Sequence, residues 1–147
     1  MTLQSLLKIG QLEKHETDAT QVGRMLEFAR RSLADAEHES ISLETRLDAA
    51  YRAITQLSMV ALWANGFRPS KSKPGHHQTM IQSLLHAIEL DSDDVYLLDT
   101  FRIIRNAIDY TGTNIDETSL VVCTRAAEDL QVQVIEWLEQ YRTDLLP

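Results

Sequence analysis

Apolar residues recur at spacings of three and four along most of the chain, which is the pattern of helices that bury one face. Only three prolines and five glycines occur, and four of these eight helix breakers lie within residues 66–75. No run alternates apolar and polar residues between turn signals, so the pattern predicts no strand. The predicted helices span about residues 3–12, 18–38, 42–65, 76–90, 91–110 and 116–141.

The connections between these helices are short, and short connections place successive helices antiparallel. The sequence therefore predicts an all-α protein, with a single domain over residues 1–147 folded as an antiparallel up-and-down bundle of about five helices. The segment Met59–Ala64 is apolar on all sides, which suits the centre of a bundle. The residues expected to face the core include Leu85, Leu97, Phe101, Ile104, Ile108 and Tyr141.

The same sequence features indicate a cytoplasmic protein without a membrane segment. The longest apolar run has six residues, too few to cross a bilayer. Residues 1–12 carry a single positive charge, Lys8, and lack a signal-peptide cleavage pattern. The lone cysteine, Cys123, lies in a helical apolar pattern and is expected to be a buried, inert thiol.

Charge is distributed unevenly along the chain. A net charge of −8 argues against a general nucleic-acid coat, because an acidic surface repels phosphates. Residues 1–75 hold ten Lys/Arg against nine Asp/Glu, whereas residues 76–147 hold four against thirteen. The segment 66–75 carries Arg68, Lys71 and Lys73 and no acid. A basic loop on an acidic body predicts a restricted anion site or a self-complementary contact.

Two histidines, His76 and His77, follow this loop at the predicted start of a helix, where free backbone N–H groups favour anions. Together with Lys71 and Lys73 they are candidate phosphate-binding residues, although ordinary solvated histidines fit the same pattern. No metal site is expected, because adjacent histidines point apart and no further ligands lie at metal-binding spacing. No cofactor is expected either, since the chain has no Gly-rich phosphate loop.

A polar strip lies beside the apolar stripe of the helix predicted over residues 91–110. Arg102, Arg105, Asn106 and Asp109 are spaced three and four apart, and Tyr110 follows Asn106 by four residues. Guanidinium groups match phosphate oxygens bidentately, so Arg102, Arg105 and Asn106 are a credible phosphate-recognition surface. The alternative is an exposed ion pair between Arg105 and Asp109, worth at most about 0.5 kcal/mol.

This order of features resembles the HEPN family, the higher eukaryote and prokaryote nucleotide-binding helical domains. The resemblance covers about residues 50–138 and depends on Arg105-Asn106 near the end of a late helix. The segment Gly75-His76-His77, at the start of the preceding helix, is also similar to chains of this family. The family signature continues with a histidine four to six residues after the arginine, and this chain has Tyr110 where that histidine is expected.

The resemblance implies a homodimer that binds a nucleotide or RNA phosphate, in the setting of a toxin–antitoxin or defence operon. In ribonucleases of the family, the arginine and histidine of two subunits promote attack of the RNA 2′-hydroxyl on the adjacent phosphate. Tyrosine has a reference pKa of about 10 and is a poor base near neutral pH, so we expect binding without cleavage.

Two alternatives remain open. The first is a metal-independent ribonuclease toxin in which Arg105 acts with Asp109 or Tyr110 in place of the histidine. The second is a non-catalytic protein-interaction bundle that partners a nucleotidyltransferase or a toxin encoded in the same operon.

Overall fold

The computed structural model describes residues 2–147, and helices account for most of them. The helices are α1 (Leu3–Lys8), α2 (Ala19–Ala36), α3 (Leu43–Ala64), α4 (His76–Ala87), α5 (Ser92–Thr111) and α6 (Glu117–Tyr141), followed by a short 3-10 helix (Thr143–Leu145). The predicted all-α helical bundle is confirmed. Within the described residues, no helix is both long enough and apolar enough to cross a membrane.

Side-chain caps set where most of the long helices begin. Asp18, Ser42, Asp91 and Asp116 precede α2, α3, α5 and α6, and each accepts a hydrogen bond from a backbone N–H of the first turn. A cap of this kind contributes about 1 kcal/mol. At the other end of α5, Gly112 adopts the left-handed conformation (φ 67°) and stops the helix.

Helix α3 is the centre of the bundle and packs against α2, α4, α5 and α6. In the segment Met59–Ala64, which the all-round apolar pattern places at the centre of the bundle, Val60–Ala64 are buried and Met59 is partly buried. Trp63 lies near the end of this segment and is 9% exposed, so one part of its indole reaches the surface.

The prediction that the chain contains no strand is wrong. Residues Leu12–Lys14 form β1 and pair antiparallel with β2 (Phe67–Pro69), in a register that places Leu12 opposite Pro69 and Lys14 opposite Phe67. Each strand has only three residues, which is too short to show an alternating pattern. The two paired strands form a β-ribbon, which connects the start of the chain to the segment that follows α3.

Helix α5 lies at the edge of the bundle. Of its expected core residues, Phe101 is buried, whereas Leu97, Ile104 and Ile108 are only partly buried. Two other expectations for the core are wrong, because Leu85 of α4 and Tyr141 of α6 are exposed. These helices pack on fewer neighbours than α3 does, so a narrower apolar stripe is enough to cover the core.

Candidate functional site

The loop after β2 and the outer side of α5 enclose an open cleft of about 510 Å3, here called the basic cleft. Its lining residues are Lys71, Ser72, Lys73, Pro74, Gly75, His76, His77, Gln78, Arg102 and Asn106. Two groups of candidate phosphate-binding residues, about thirty positions apart in sequence, therefore share one cavity. Among the described residues, no acidic side chain lines it.

The loop side of the basic cleft is held by the ends of β2 and α4. Ser70, just after β2, is buried and donates its backbone N–H to the Gln11 carbonyl at 2.9 Å. Gly75 precedes α4 with φ 78°, a left-handed conformation that favours glycine. His76 and His77 then form the first turn of α4, where backbone N–H groups are not used within the helix.

On the α5 side, Arg102 is oriented by Asp99, one turn earlier. Arg102 Nε donates to Asp99 Oδ1 at 2.7 Å and Nη2 donates to Oδ2 at 3.3 Å. A guanidinium has five N–H groups, so three remain for a ligand. The Asp99 pair raises the pKa of Arg102 and fixes its plane at the edge of the cleft. Asn106, one turn further along α5, makes no side-chain hydrogen bond within the described chain.

His77 connects the basic cleft to the core through Tyr51 of α3. Tyr51 Oη and His77 Nδ1 are hydrogen bonded at 3.2 Å, and the two rings are 5.6 Å apart. Loss of water around the ring and the positive charges of Arg105, His76 and Arg102 lower the pKa of His77. Burial raises the pKa of Tyr51 to about 12. Both rings are therefore neutral at pH 7, and Nε2 is the ring nitrogen that His77 has left for a ligand.

Arg105 lies outside the lining of the basic cleft. Its Nε donates to Asp48 Oδ1 of α3 at 2.9 Å and lies 3.6 Å from Asp109 Oδ2. Its guanidinium also lies 5.7 Å from the centre of the Tyr51 ring. The predicted ion pair between Arg105 and Asp109 is thus present, but the shorter contact is with Asp48.

The other catalytic candidates lie outside the basic cleft as well. Asp109 is exposed and its carboxylate faces Arg105. Tyr110 is 86% exposed and makes no side-chain hydrogen bond among the described residues. The polar strip of the sequence is therefore two surfaces, with Arg102 and Asn106 on the cleft, Arg105 paired with Asp48 of α3, and Asp109 exposed beside Arg105.

Three residues that support this region were not recognised in the sequence: Asp48, Tyr51 and Asp99. Tyr51 lies on the apolar stripe of α3 and its ring is buried, so the sequence pattern gives it a place in the core and no role at the cleft. Asp99 stands three residues before Arg102, a spacing that predicts the ion pair. Asp48 gives no local signal, because its partner Arg105 is 57 residues away.

Within the described residues, no three His, Cys, Asp or Glu side chains are grouped so that they could hold a metal ion. The expectation that Cys123 is buried is confirmed. Cys123 is fully buried, and burial raises the pKa of its thiol to about 12. The thiol is therefore protonated at neutral pH and unreactive in the folded chain.

Comparison of the chain with protein-family models, with curated proteins and with solved structures finds no match.

Proposed function

We propose that this protein is a helical bundle that binds a nucleotide or the phosphate groups of RNA, without cleaving RNA. The observation that carries the proposal is the basic cleft itself. Lys71, Lys73 and Arg102 place three cationic side chains around one cavity, on a chain whose net charge is −8, and of these Arg102 is ion-paired with Asp99. The cleft lining is cationic while the chain as a whole is acidic, which favours a local anion site over a long nucleic-acid track.

The donors of the basic cleft suit phosphate rather than a carboxylate alone. Arg102 offers planar N–H groups, Asn106 an unpaired amide, and the start of α4 offers backbone N–H groups. These donors come from two separate elements and surround an open space large enough for several phosphate groups. A single carboxylate would leave much of this donor capacity unused.

The absence of cleavage is proposed from the chemistry of the α5 end. A base for the RNA 2′-hydroxyl should titrate near neutral pH and lie against the bound phosphate. Tyr110 points to solvent at the far end of α5, and the Asp109 carboxylate is close to Arg105. Cleavage of unstructured RNA in EDTA, lost on Arg105→Ala, would instead favour the ribonuclease with Asp109 or Tyr110 as base.

We include a homodimer in the proposal, with α5 as the contact helix. Tyr96, Ile103 and Tyr110 are exposed by 77%, 56% and 86% and are spaced seven residues apart. Residues at this spacing share one helix face, as in the seam of paired helices. A two-fold dimer uses the same patch on both copies, so one stripe suffices. Sedimentation should give a dimer that Ile103→Asp converts to a monomer, and a monomeric wild-type chain at micromolar concentration would contradict this part.

A protein-interaction function is the second candidate, because α5 and α6 leave an apolar groove between them. The groove has a volume of about 230 Å3 and is lined mainly by Leu90, Leu97, Leu98, Ala126, Leu130 and Val132. A segment of a nucleotidyltransferase or toxin is the partner that the HEPN resemblance suggests. A neighbouring gene of either kind, together with no affinity for phosphate ligands, would favour this function.

The test of the main proposal is a binding titration with inorganic triphosphate and with a short single-stranded RNA. Arg102→Ala should weaken binding of both ligands at least tenfold while the helical circular dichroism signal is unchanged. Asp109→Asn is the matched control, because it changes a charged residue of the same helix outside the basic cleft. No binding by the wild-type protein, or equal binding by Arg102→Ala, contradicts the proposal.

A further inference from the structure

A second cavity, of about 380 Å3, opens beside the basic cleft and shares Lys71, His76 and His77 with it. Its character is different, because most of its wall is aromatic or apolar. We call it the aromatic pocket; its own wall is formed mainly by His15, Met59, Trp63, Pro69 and Met80. Anything that extends from the basic cleft across the shared wall enters this pocket.

The β-ribbon builds the aromatic pocket by bringing residue 15 to the end of α3. The His15 backbone N–H donates to the Gly66 carbonyl at 2.9 Å, one residue beyond the paired strands. This places the His15 ring on Trp63, with the ring centres 5.4 Å apart and the planes 29° from parallel. His15 Nε2 is hydrogen bonded to Gln21 Oε1 at 2.9 Å, which fixes the ring against rotation.

The walls of the aromatic pocket suit a flat, polarisable group. Aromatic rings pack on planar bases, and methionine sulfur makes favourable contacts with aromatic rings. The volume falls within the range of small-molecule sites, and Gln21 and Arg68 are polar residues of the lining. Trp63 is buried and the His15 ring covers part of it, while Lys71 and Arg68 line the same pocket.

We infer that the aromatic pocket holds the base of the same nucleotide whose phosphate groups occupy the basic cleft, with the sugar crossing the wall formed by Lys71, His76 and His77. This inference rests on the proposed function and adds the part of the ligand that the phosphate site leaves undetermined. A base joined through a sugar to phosphate can come from a free nucleotide or from a nucleotide of single-stranded RNA. The experiment below separates these two sources.

The first arm compares ATP with inorganic triphosphate, which has the same phosphate chain and no base. It uses the full chain with Trp137→Phe, so that Trp63 is the single tryptophan, and contains EDTA. ATP should bind about tenfold more tightly than triphosphate, since stacking of one base contributes this order of affinity. ATP should also change the Trp63 fluorescence, whereas triphosphate should not.

Two variants localise the effect. His15→Ala should remove the advantage of ATP and leave triphosphate binding unchanged, because the phosphates do not reach residue 15. His38→Ala is the matched control, since His38 is an exposed histidine at the end of α2 and lies outside both cavities. If His15→Ala alters the fold, the comparison of the two ligands on the unchanged protein still decides the question.

The second arm compares single-stranded hexaadenylate with an abasic hexamer. A base-dependent gain that His15→Ala removes, in RNA but not in ATP, supports the aromatic pocket and identifies an RNA chain as the source. If neither ligand gains from its base while triphosphate still binds through Arg102, the aromatic pocket is wrong and the basic cleft stands. If none of the ligands binds, both the inference and the proposed function are overturned.

Discussion

The two ends of the polar strip on α5 differ in how their arginines are neutralised. Arg102 has one carboxylate partner, Asp99, and faces the basic cleft. Arg105 has two, Asp48 at 2.9 Å and Asp109 at 3.6 Å, and faces α3. The two residues are three positions apart, yet the first is available to an anion and the second is part of the connection between helices.

This difference shows that spacing on a helix determines which residues are neighbours but not what they face. Position 105 is rotated from position 102 by about 60° around the helix axis, at 100° per residue. That rotation is enough to turn Arg102 toward the loop before α4 and Arg105 toward α3. An arginine that is already paired with two carboxylates gains less from a phosphate, because the phosphate has to displace or oppose them.

The largest expected effect contrasts the two arginines directly. Arg102→Ala should weaken triphosphate binding at least tenfold, because it removes a charged donor group from the basic cleft. Arg105→Ala should change the affinity by less than threefold, since Arg105 lies outside the cleft lining. Isothermal titration calorimetry of both variants at equal ionic strength measures the contrast. Equal losses would show that the strip is a single site.

The second effect concerns the loop. Lys71→Ala should weaken binding of a single-stranded RNA several-fold and lower the salt dependence of its binding constant by about 0.7 in the log–log slope. Lys14→Ala, a change to an exposed lysine outside both cavities, should leave the slope unchanged. Fluorescence anisotropy across a range of NaCl concentrations gives both slopes. A slope unaffected by Lys71→Ala would exclude this lysine from the phosphate contact.

Sequence reasoning recovered what depends on local pattern. The helices and the burial of most of the Met59–Ala64 segment of α3 follow from residues close together in the chain. The pairing of β1 with β2 was missed because the partners are more than fifty residues apart and each strand is three residues long. Long-range pairing leaves no periodic signal in so short a segment.

The candidate site was only partly predictable for the same reason. Lys71 and Lys73 stood out as a basic loop, and Arg102 as part of a polar strip, but nothing in the sequence indicates that α4 packs against α5 and joins them. The role of Asp48 as partner of Arg105 depends on the packing of α5 on α3. The division of the strip into two surfaces is thus a product of tertiary structure.

The third effect is a pH dependence of triphosphate binding that arises from His77 in the basic cleft. The pKa of His77 is lower in the folded chain than its unfolded value of 6.5. Neutral His77 therefore contributes to stability above pH 6.5, and this contribution is lost as the pH falls below 6.5. A bound anion offsets the positive charges of Arg105, His76 and Arg102 and so raises the pKa of His77. Binding of the anion is therefore accompanied by uptake of a proton. Triphosphate affinity should therefore rise a few-fold more from pH 7.5 to pH 6 in the wild type than in His77→Gln.

Comparing the wild type with His77→Gln isolates the contribution of His77, because the other contributions to the pH dependence are the same in both proteins. Protonation of triphosphate occurs in both proteins and cancels, and Tyr51, which faces His77 from α3, stays protonated because its pKa is about 12. An identical pH dependence in the two proteins would remove His77 from the phosphate contact.

The smallest expected effect is on stability and concerns the ion pair between Arg105 of α5 and Asp48 of α3. Arg105 and Asp48 are both about one-third exposed, so solvent screens their interaction. The ion pair should contribute about 0.5 kcal/mol to the free energy of unfolding, as the coupling between the two substitutions. A double-mutant cycle with Arg105→Ala and Asp48→Ala, followed by urea unfolding, measures it. A zero coupling, or a change in triphosphate affinity in the Asp48→Ala variant, would contradict the structural role given to this pair.

The measurement that tests the central claim most directly is a two-dimensional 15N NMR titration of the wild-type protein with inorganic triphosphate. The basic cleft predicts that the largest shifts occur at the backbone amides of residues 71–73 and 75–78 and at the side-chain amide of Asn106. Residues 109–112 at the end of α5 should move little. Shifts centred on Asp109 and Tyr110, or no shifts at millimolar triphosphate, would contradict the account.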